Sequence, residues 1–204
     1  MNSFKTTLSK AKIFSLAFLA TCAILSCDQN MDSKDTKEIA EDRNDEKFSD
    51  DKEDDAESLV NAAEINLEEI KLGQLAQKNS STPEVVELGK MMEIDHTKAL
   101  EKLQALASKK KISIPTELTQ DSEKVYNQLQ EKAGADFDED YCDRAAENHK
   151  DAIKEFADAT TMSNDMEIRS WAGKFVIMLQ KHHDASIACK KKCEERKSKA
   201  SKDN

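Results

Sequence analysis

The chain of 204 residues is 38% hydrophobic and 35% charged, with only four glycines and two prolines, which suits one helical domain with tails better than a sheet protein. A net charge of −10 argues against a nucleic-acid partner, because phosphate recognition needs a basic surface. The charge is uneven: residues 1–27 carry +3, residues 28–57 hold 14 acidic and 5 basic side chains, and the remainder carries only −4. Alternation of β-branched and aromatic residues is scarce, and apolar residues recur at intervals of three and four nearly everywhere, so helices are expected throughout.

At the start, Lys5, Lys10 and Lys12 precede an apolar run over 13–25 that is too short to cross a bilayer but has the length of a signal-peptide core. The run ends Ile24-Leu25-Ser26-Cys27, which resembles the bacterial lipoprotein signal, in which a small residue precedes a cysteine that is lipidated and becomes the mature N-terminus. Cys22 fits less well, because the bulkier Thr21 precedes it. Residues 1–27 are therefore expected to be a lipoprotein signal peptide with Cys27 lipidated; a plain secretory signal or a short anchor helix is the other reading. Each buried CH₂ of an acyl chain contributes about 0.8 kcal/mol, so the implied partner is a membrane surface. Residues 28–57 contain too little apolar surface to offset the entropy of ordering and are expected to form a disordered acidic tether.

A folded unit is expected over 58–190. Its first helix, over about 56–79, has a core stripe through Ala62, Ile65, Glu69, Leu72, Gly73 and Ala76, with Glu64 and Glu68 nearer the polar flank. Thr82 as N-cap and Pro83 at the first helical position open a second helix running to about 111, with Val85, Gly89, Met92, His96, Ala99, Leu103 and Leu106 on one stripe. Pro115 interrupts, a short helix over 117–133 ends at Gly134, and a third long helix over about 137–160 carries Phe137, Tyr141, Ala145, His149, Ala152, Ile153 and Phe156. After the Ser163-Asn164-Asp165 turn, a last helix presents Ile168, Trp171, Ala172, Phe175, Met178, Leu179, His182, Ala185 and Cys189. Residues 191–204 are expected to be a basic disordered tail. The fold class is all-α: a four-helix bundle with a short extra helix between the second and third long helices.

Glu69, His96, His149 and His182 each interrupt an apolar stripe, and a buried imidazole or carboxylate needs a partner. Glu69 and His96 are equidistant from the turn at 81–83, and His149 and His182 from a point beside Asp165, so each antiparallel hairpin levels its own pair. The first pair lies about 20 Å from its turn and the second about 25 Å; turns at one end would separate the pairs by about 5 Å, and turns at opposite ends of a bundle about 45 Å long would make them coincide. One carboxylate and three imidazoles at mid-bundle form a set that suits Fe, Zn, Mn or Cu. A full di-iron pattern is missing: Glu93-Ile94-Asp95-His96 supplies one Glu-x-x-His, but Ala146 and Leu179 stand three residues before His149 and His182. The competing reading is a hydrogen-bonded network that fixes helix register, with Glu93 and Asp95 as solvated neighbours. Cys142 precedes His149 by seven residues and Cys189 follows His182 by seven, so a Cys142–Cys189 disulfide is geometrically possible and Cys193 is left over.

The stretches EEIKLGQLA (68–76), MMEIDHTKAL (91–100), Ile114-Pro115, FDEDY (137–141), His149 and LQKH (179–182) resemble a ferritin-like bacterial envelope domain family of unknown function, often labelled an outer membrane protein. The resemblance covers about residues 58–190 and implies a ferritin-like bundle in the cell envelope. On matching positions the family's recurrent polar residues fall on Glu69, Asp95, His96, His149 and His182. The family's Leu-Pro pair before its last histidine is replaced here by Val176-Ile177, which makes His183 a competitor to His182. Glu93, Asp95 and His183 are then candidates to back the ligands. The leading expectation is a non-enzymatic envelope lipoprotein whose bundle is a binding or structural module; the alternative is a metal-binding redox or metal-storage protein. Hydrolase and nucleotide-enzyme motifs do not occur, and the sequence names no protein partner.

Overall fold

The computed structural model describes residues 34–49 and 51–200; Cys27 and the rest of the expected signal lie outside the described residues. Six helices and no strand are present among them: α1 (Thr36–Asp45), α2 (Asp51–Asn79), α3 (Pro83–Lys110), α4 (Gln120–Gln130), α5 (Gly134–Met162) and α6 (Met166–Ala200). The all-α expectation holds. No helix among the described residues is long and apolar enough to cross a membrane.

Two helical hairpins, α2 with α3 and α5 with α6, make up most of the packing, and α3 with α6 and α2 with α5 join them. Within the first hairpin the helices approach closely at two glycines. A Cβ on Gly89 would lie 2.7 Å from the Gly73 carbonyl oxygen and 2.7 Å from the Ala76 Cβ, so only hydrogen fits there. At the start of α3 the Thr82 carbonyl accepts from the Val85 and Val86 amides, both at 3.0 Å. The Thr82 hydroxyl takes no part in the cap: it donates to Asp138 of α5 at 2.5 Å, beside a second donation to that carboxylate from Ser80 at 2.6 Å.

Those bonds set the α2–α3 turn against the start of α5. At the other end, Lys110, the last residue of α3, pairs with Asp165 and Glu167 at the α5–α6 turn. The two hairpin turns therefore sit at opposite ends, and the chain from α3 to α5 returns along the length of the helices through α4, which packs on α2. Two apolar clusters fill the interior. One contains Leu72, Val85, Leu88, Met92, Leu129, Phe137 and Tyr141; the other contains Leu59, Leu100, Leu103, Phe156, Ile168, Phe175 and Leu179. His96 falls between Met92 of the first and Leu100 of the second, and His149 between Ala145 and Ala152, so the imidazoles form a polar layer between two apolar ones.

Three boundaries differ from the sequence expectation. Residues 36–45 form α1 and α2 begins at Asp51, inside the stretch expected to be a disordered tether. What orders α1 is polar and long-range: Asp35 caps it by accepting from the Lys37 amide at 2.9 Å, Lys37 donates to Glu64 at 2.7 Å, and Asn44 pairs with both the carbonyl and the amide of Ser113 at 2.9 and 2.8 Å. Residues 191–200, expected to be a disordered tail, continue α6; Arg196 meets Glu84 at 2.6 Å and Lys197 meets Glu139 at 2.5 Å. The short helix α4 is trimmed to 120–130, and Gly134, in the left-handed region at φ 60°, opens α5 instead of only closing α4.

Candidate functional site

His96, His149 and His182 project from α3, α5 and α6 into one point of the polar layer, each no more than 1% exposed. His96 Nε2 lies 3.2 Å from His149 Nε2 and 3.2 Å from His182 Nδ1, and the three nitrogens are all within 4.8 Å of one another. The rings are splayed, with centroids 5.0 to 5.4 Å apart.

On the far side of each ring the other nitrogen is engaged, and the partner dictates the tautomer. Asn66 of α2 donates its amide to the Ala62 carbonyl at 2.6 Å, which turns its Oδ1 toward His96 Nδ1 at 3.0 Å; that nitrogen is the donor. His149 Nδ1 lies 2.7 Å from the Ala145 carbonyl, which can only accept. His182 Nε2 lies 3.2 Å from the Asp95 carboxylate. Each imidazole thus uses its one proton outward, and three bare lone pairs face one another. Burial holds all three imidazoles below their ordinary range: His149 falls to about 3, His96 is well below, and His182 falls less because Asp95 opposes the shift. A proton is therefore a poor guest at the centre of the trio near neutral pH.

Two carboxylates back this layer. Burial works against the charge of Asp95, but its hydrogen bond to His182 and the nearby Lys181 prevail and keep it below the usual carboxylate range. Glu69, in contrast, is pushed up to about 8 by burial, with Glu68 adding to the shift and Asn148 and Arg144 opposing it. Both Glu69 oxygens and the Tyr141 hydroxyl are buried with no hydrogen-bond partner among the described residues.

The expected set of four is therefore corrected in one member. Three histidines converge, but Glu69 stands behind His149, 3.7 Å from Nδ1, on the face away from the shared point. Asp95 lies against His182 Nε2. Glu93 does not join: it accepts from Gln74 at 2.9 Å and Gln77 at 2.6 Å on the outer side of α2 and α3. His183 is half-buried and outside the trio, with Asp184 at 3.8 Å as its acidic neighbour, so His182 is the inward residue. Cys142 and Cys189 are free thiols in contact, with sulfurs 2.8 Å apart, and Cys193 lies beside them. Sequence reading missed Asn66 and the Ala145 carbonyl. Asn66 carried a usable signal: four residues after Ala62 and three before Glu69, it lies on the same buried stripe, fully enclosed.

These features define an all-helical domain with a buried three-imidazole layer between apolar clusters. The chain belongs to the family described as Domain of unknown function (DUF4142), which matches residues 39–188 and so takes in most of α1. No curated protein and no solved structure matches the chain.

Proposed function

We propose that this domain binds one divalent transition-metal ion through His96, His149 and His182, and that the chain carries it in the cell envelope as a lipoprotein anchored through Cys27. The observation that carries the metal reading is the trio of inward lone pairs, each ring locked by an outward acceptor. Imidazoles backed by carbonyls and carboxylates are the usual way of orienting metal ligands. A tetrahedral ion bound at 2.0–2.1 Å places its nitrogens about 3.3 Å apart, close to two of the separations here, 3.2 Å each, with the third within 4.8 Å. Charge agrees in part: with three neutral imidazoles, the Asp95 carboxylate, held ionised behind His182, offsets part of a dication's charge. Three nitrogen ligands favour Zn, Cu or Fe over Mn.

The layer is almost fully enclosed, so a substrate larger than water reaches it only if the helices part. That favours a binding or storage module over a catalyst. The architecture we infer is a ferritin-like four-helix bundle of α2, α3, α5 and α6 with one long crossover, supported by hairpin turns at opposite ends and by the return through α4. The envelope location and the lipid anchor rest on the basic start, the apolar run and Ser26-Cys27.

A second reading has its own support: 3.2 Å is also hydrogen-bond distance, so the trio could serve as a register-fixing network with one ring in its other tautomer. Titration of metal-free protein with Co(II) separates the two. The metal reading expects one equivalent to bind with visible ligand-field bands that His149→Ala abolishes; the network reading expects no bands.

A further inference from the structure

Away from the imidazole layer, α5 and α6 carry a second cluster. Cys142 of α5 and Cys189 of α6 are buried, Cys193 is half-buried one turn further along α6, and the three sulfurs lie within 4.8 Å of one another. The Cys142 thiol donates to the Cys189 sulfur at 2.8 Å, closer than two sulfurs rest in simple van der Waals contact. Cys142 and Cys189 belong to the apolar cluster of Leu88, Leu129, Phe137 and Tyr141, against which Cys193 packs. Cys193 also lines an open surface pocket of about 230 Å³ with Ser81, Thr82, Asp138 and Arg196.

We propose that these three cysteines form a thiol–disulfide exchange site that takes two electrons' worth of oxidation from an external disulfide through Cys193 and stores it as a Cys142–Cys189 bridge clasping α5 to α6. The placement of the thiols sets the order of events. A bulky disulfide R–S–S–R reaches Cys193 first; its thiolate attacks one sulfur, the S–S bond breaks, and one RS⁻ leaves and takes up a proton. Cys189 then attacks the Cys193 sulfur and displaces the second RSH. Cys142 finally attacks Cys189, closing the buried bridge and returning Cys193 as a thiol. In sum, two cysteines lose two hydrogens and two electrons, and one external disulfide becomes two thiols.

Electrostatics favours this outcome over a cluster of thiolates. Asp138 and Glu84 act against negative charge on Cys189, and burial together with Cys189 pushes the Cys193 thiol up to about 11. A disulfide is uncharged and suits the apolar surroundings. Hydrogen bonding from Cys142 holds Cys189 below its ordinary range, which suits Cys189 to the attack on the Cys193 mixed disulfide.

The test uses the reduced full chain incubated with glutathione disulfide, read by intact mass and non-reducing peptide mapping. The proposal expects loss of two hydrogens and a linked pair containing Cys142 and Cys189. Cys193→Ser, at a half-exposed position, should keep that linkage but slow its formation by about tenfold or more. Cys142→Ser should accumulate either glutathione on Cys193 or a Cys189–Cys193 bridge; should that variant lose its helical circular dichroism, the wild-type map and Cys193→Ser still decide. Glutathione adducts without an internal bridge, or a Cys142–Cys193 linkage, would overturn the proposal. A wild-type rate in Cys193→Ser would overturn the entry role of Cys193. Protection of all three thiols by one equivalent of Cu(I) that a chelator removes would replace the exchange site with a soft-metal site.

Discussion

His182 Nε2 meets Asp95 Oδ2 at 3.2 Å across the α6–α3 interface, and this contact decides which face of the His182 ring is bare. With its proton committed to the carboxylate, Nδ1 is left to face His96 Nε2. Replacing the carboxylate with an amide keeps the shape but weakens that commitment. Asp95→Asn should leave the helical content unchanged and lower metal affinity by about 10- to 100-fold, read by competition with a chromogenic chelator. Unchanged affinity would remove Asp95 from the account.

The buried ionisable groups predict how metal-free protein responds to pH. The three imidazoles have folded pKa values below the ordinary 6.5, so the unfolded chain binds more protons as pH falls. Their contribution is complete above 6.5 and is lost on the way down to about 3, where His149 titrates. Glu69 acts in the opposite sense: its folded value of about 8 lies above 4.5, so its contribution is complete below 4.5 and declines until about pH 8. Stability should peak near pH 6.5, and Glu69→Gln should abolish the decline, gaining a few kcal/mol over wild type above pH 8. Urea denaturation at pH 5, 7 and 9 checks this. An equal effect of the substitution at all three pH values would show that Glu69 is ionised in the fold.

Close approach of α2 to α3 is what brings Asn66 within reach of His96, and Gly89 permits it. Gly89→Ala would set a methyl 2.7 Å from the Gly73 carbonyl and force the helices apart. The expected cost is about 1–3 kcal/mol, seen as a lower urea midpoint. An unchanged midpoint would mean that α2 and α3 pack more loosely than described.

How much of this was legible beforehand differs from residue to residue. The three histidines were visible because each broke a stripe of period 3.6, and equal distances from the turns fixed their heights. Helical rise sets height along the bundle but not the angle at which a side chain leaves it, which is why Glu69 lies next to His149 and yet faces the back of its ring. α1 was invisible for another reason. Its stretch is acidic and poor in apolar residues, and it is held by bonds such as that between Asn44 and Ser113, 69 positions apart, which leave no local pattern.

Membrane attachment has a separate test. Cys27→Ser should move the protein from the membrane fraction to the soluble fraction, and mass spectrometry of the wild-type N-terminus should find lipid on Cys27. Retention of the variant on membranes, with no lipid on the wild type, would contradict the anchor.

The most direct test of the central claim is elemental analysis of the purified chain beside its His96→Ala variant. His96 Nε2 is the nitrogen that meets both of the other rings, so its removal opens the trio at its shared member. The account predicts about one transition-metal ion per wild-type chain and its loss in the variant, with helical content retained. A wild-type chain that stays metal-free after incubation with Zn, Cu and Fe salts would contradict the account and leave the trio as a hydrogen-bonded network.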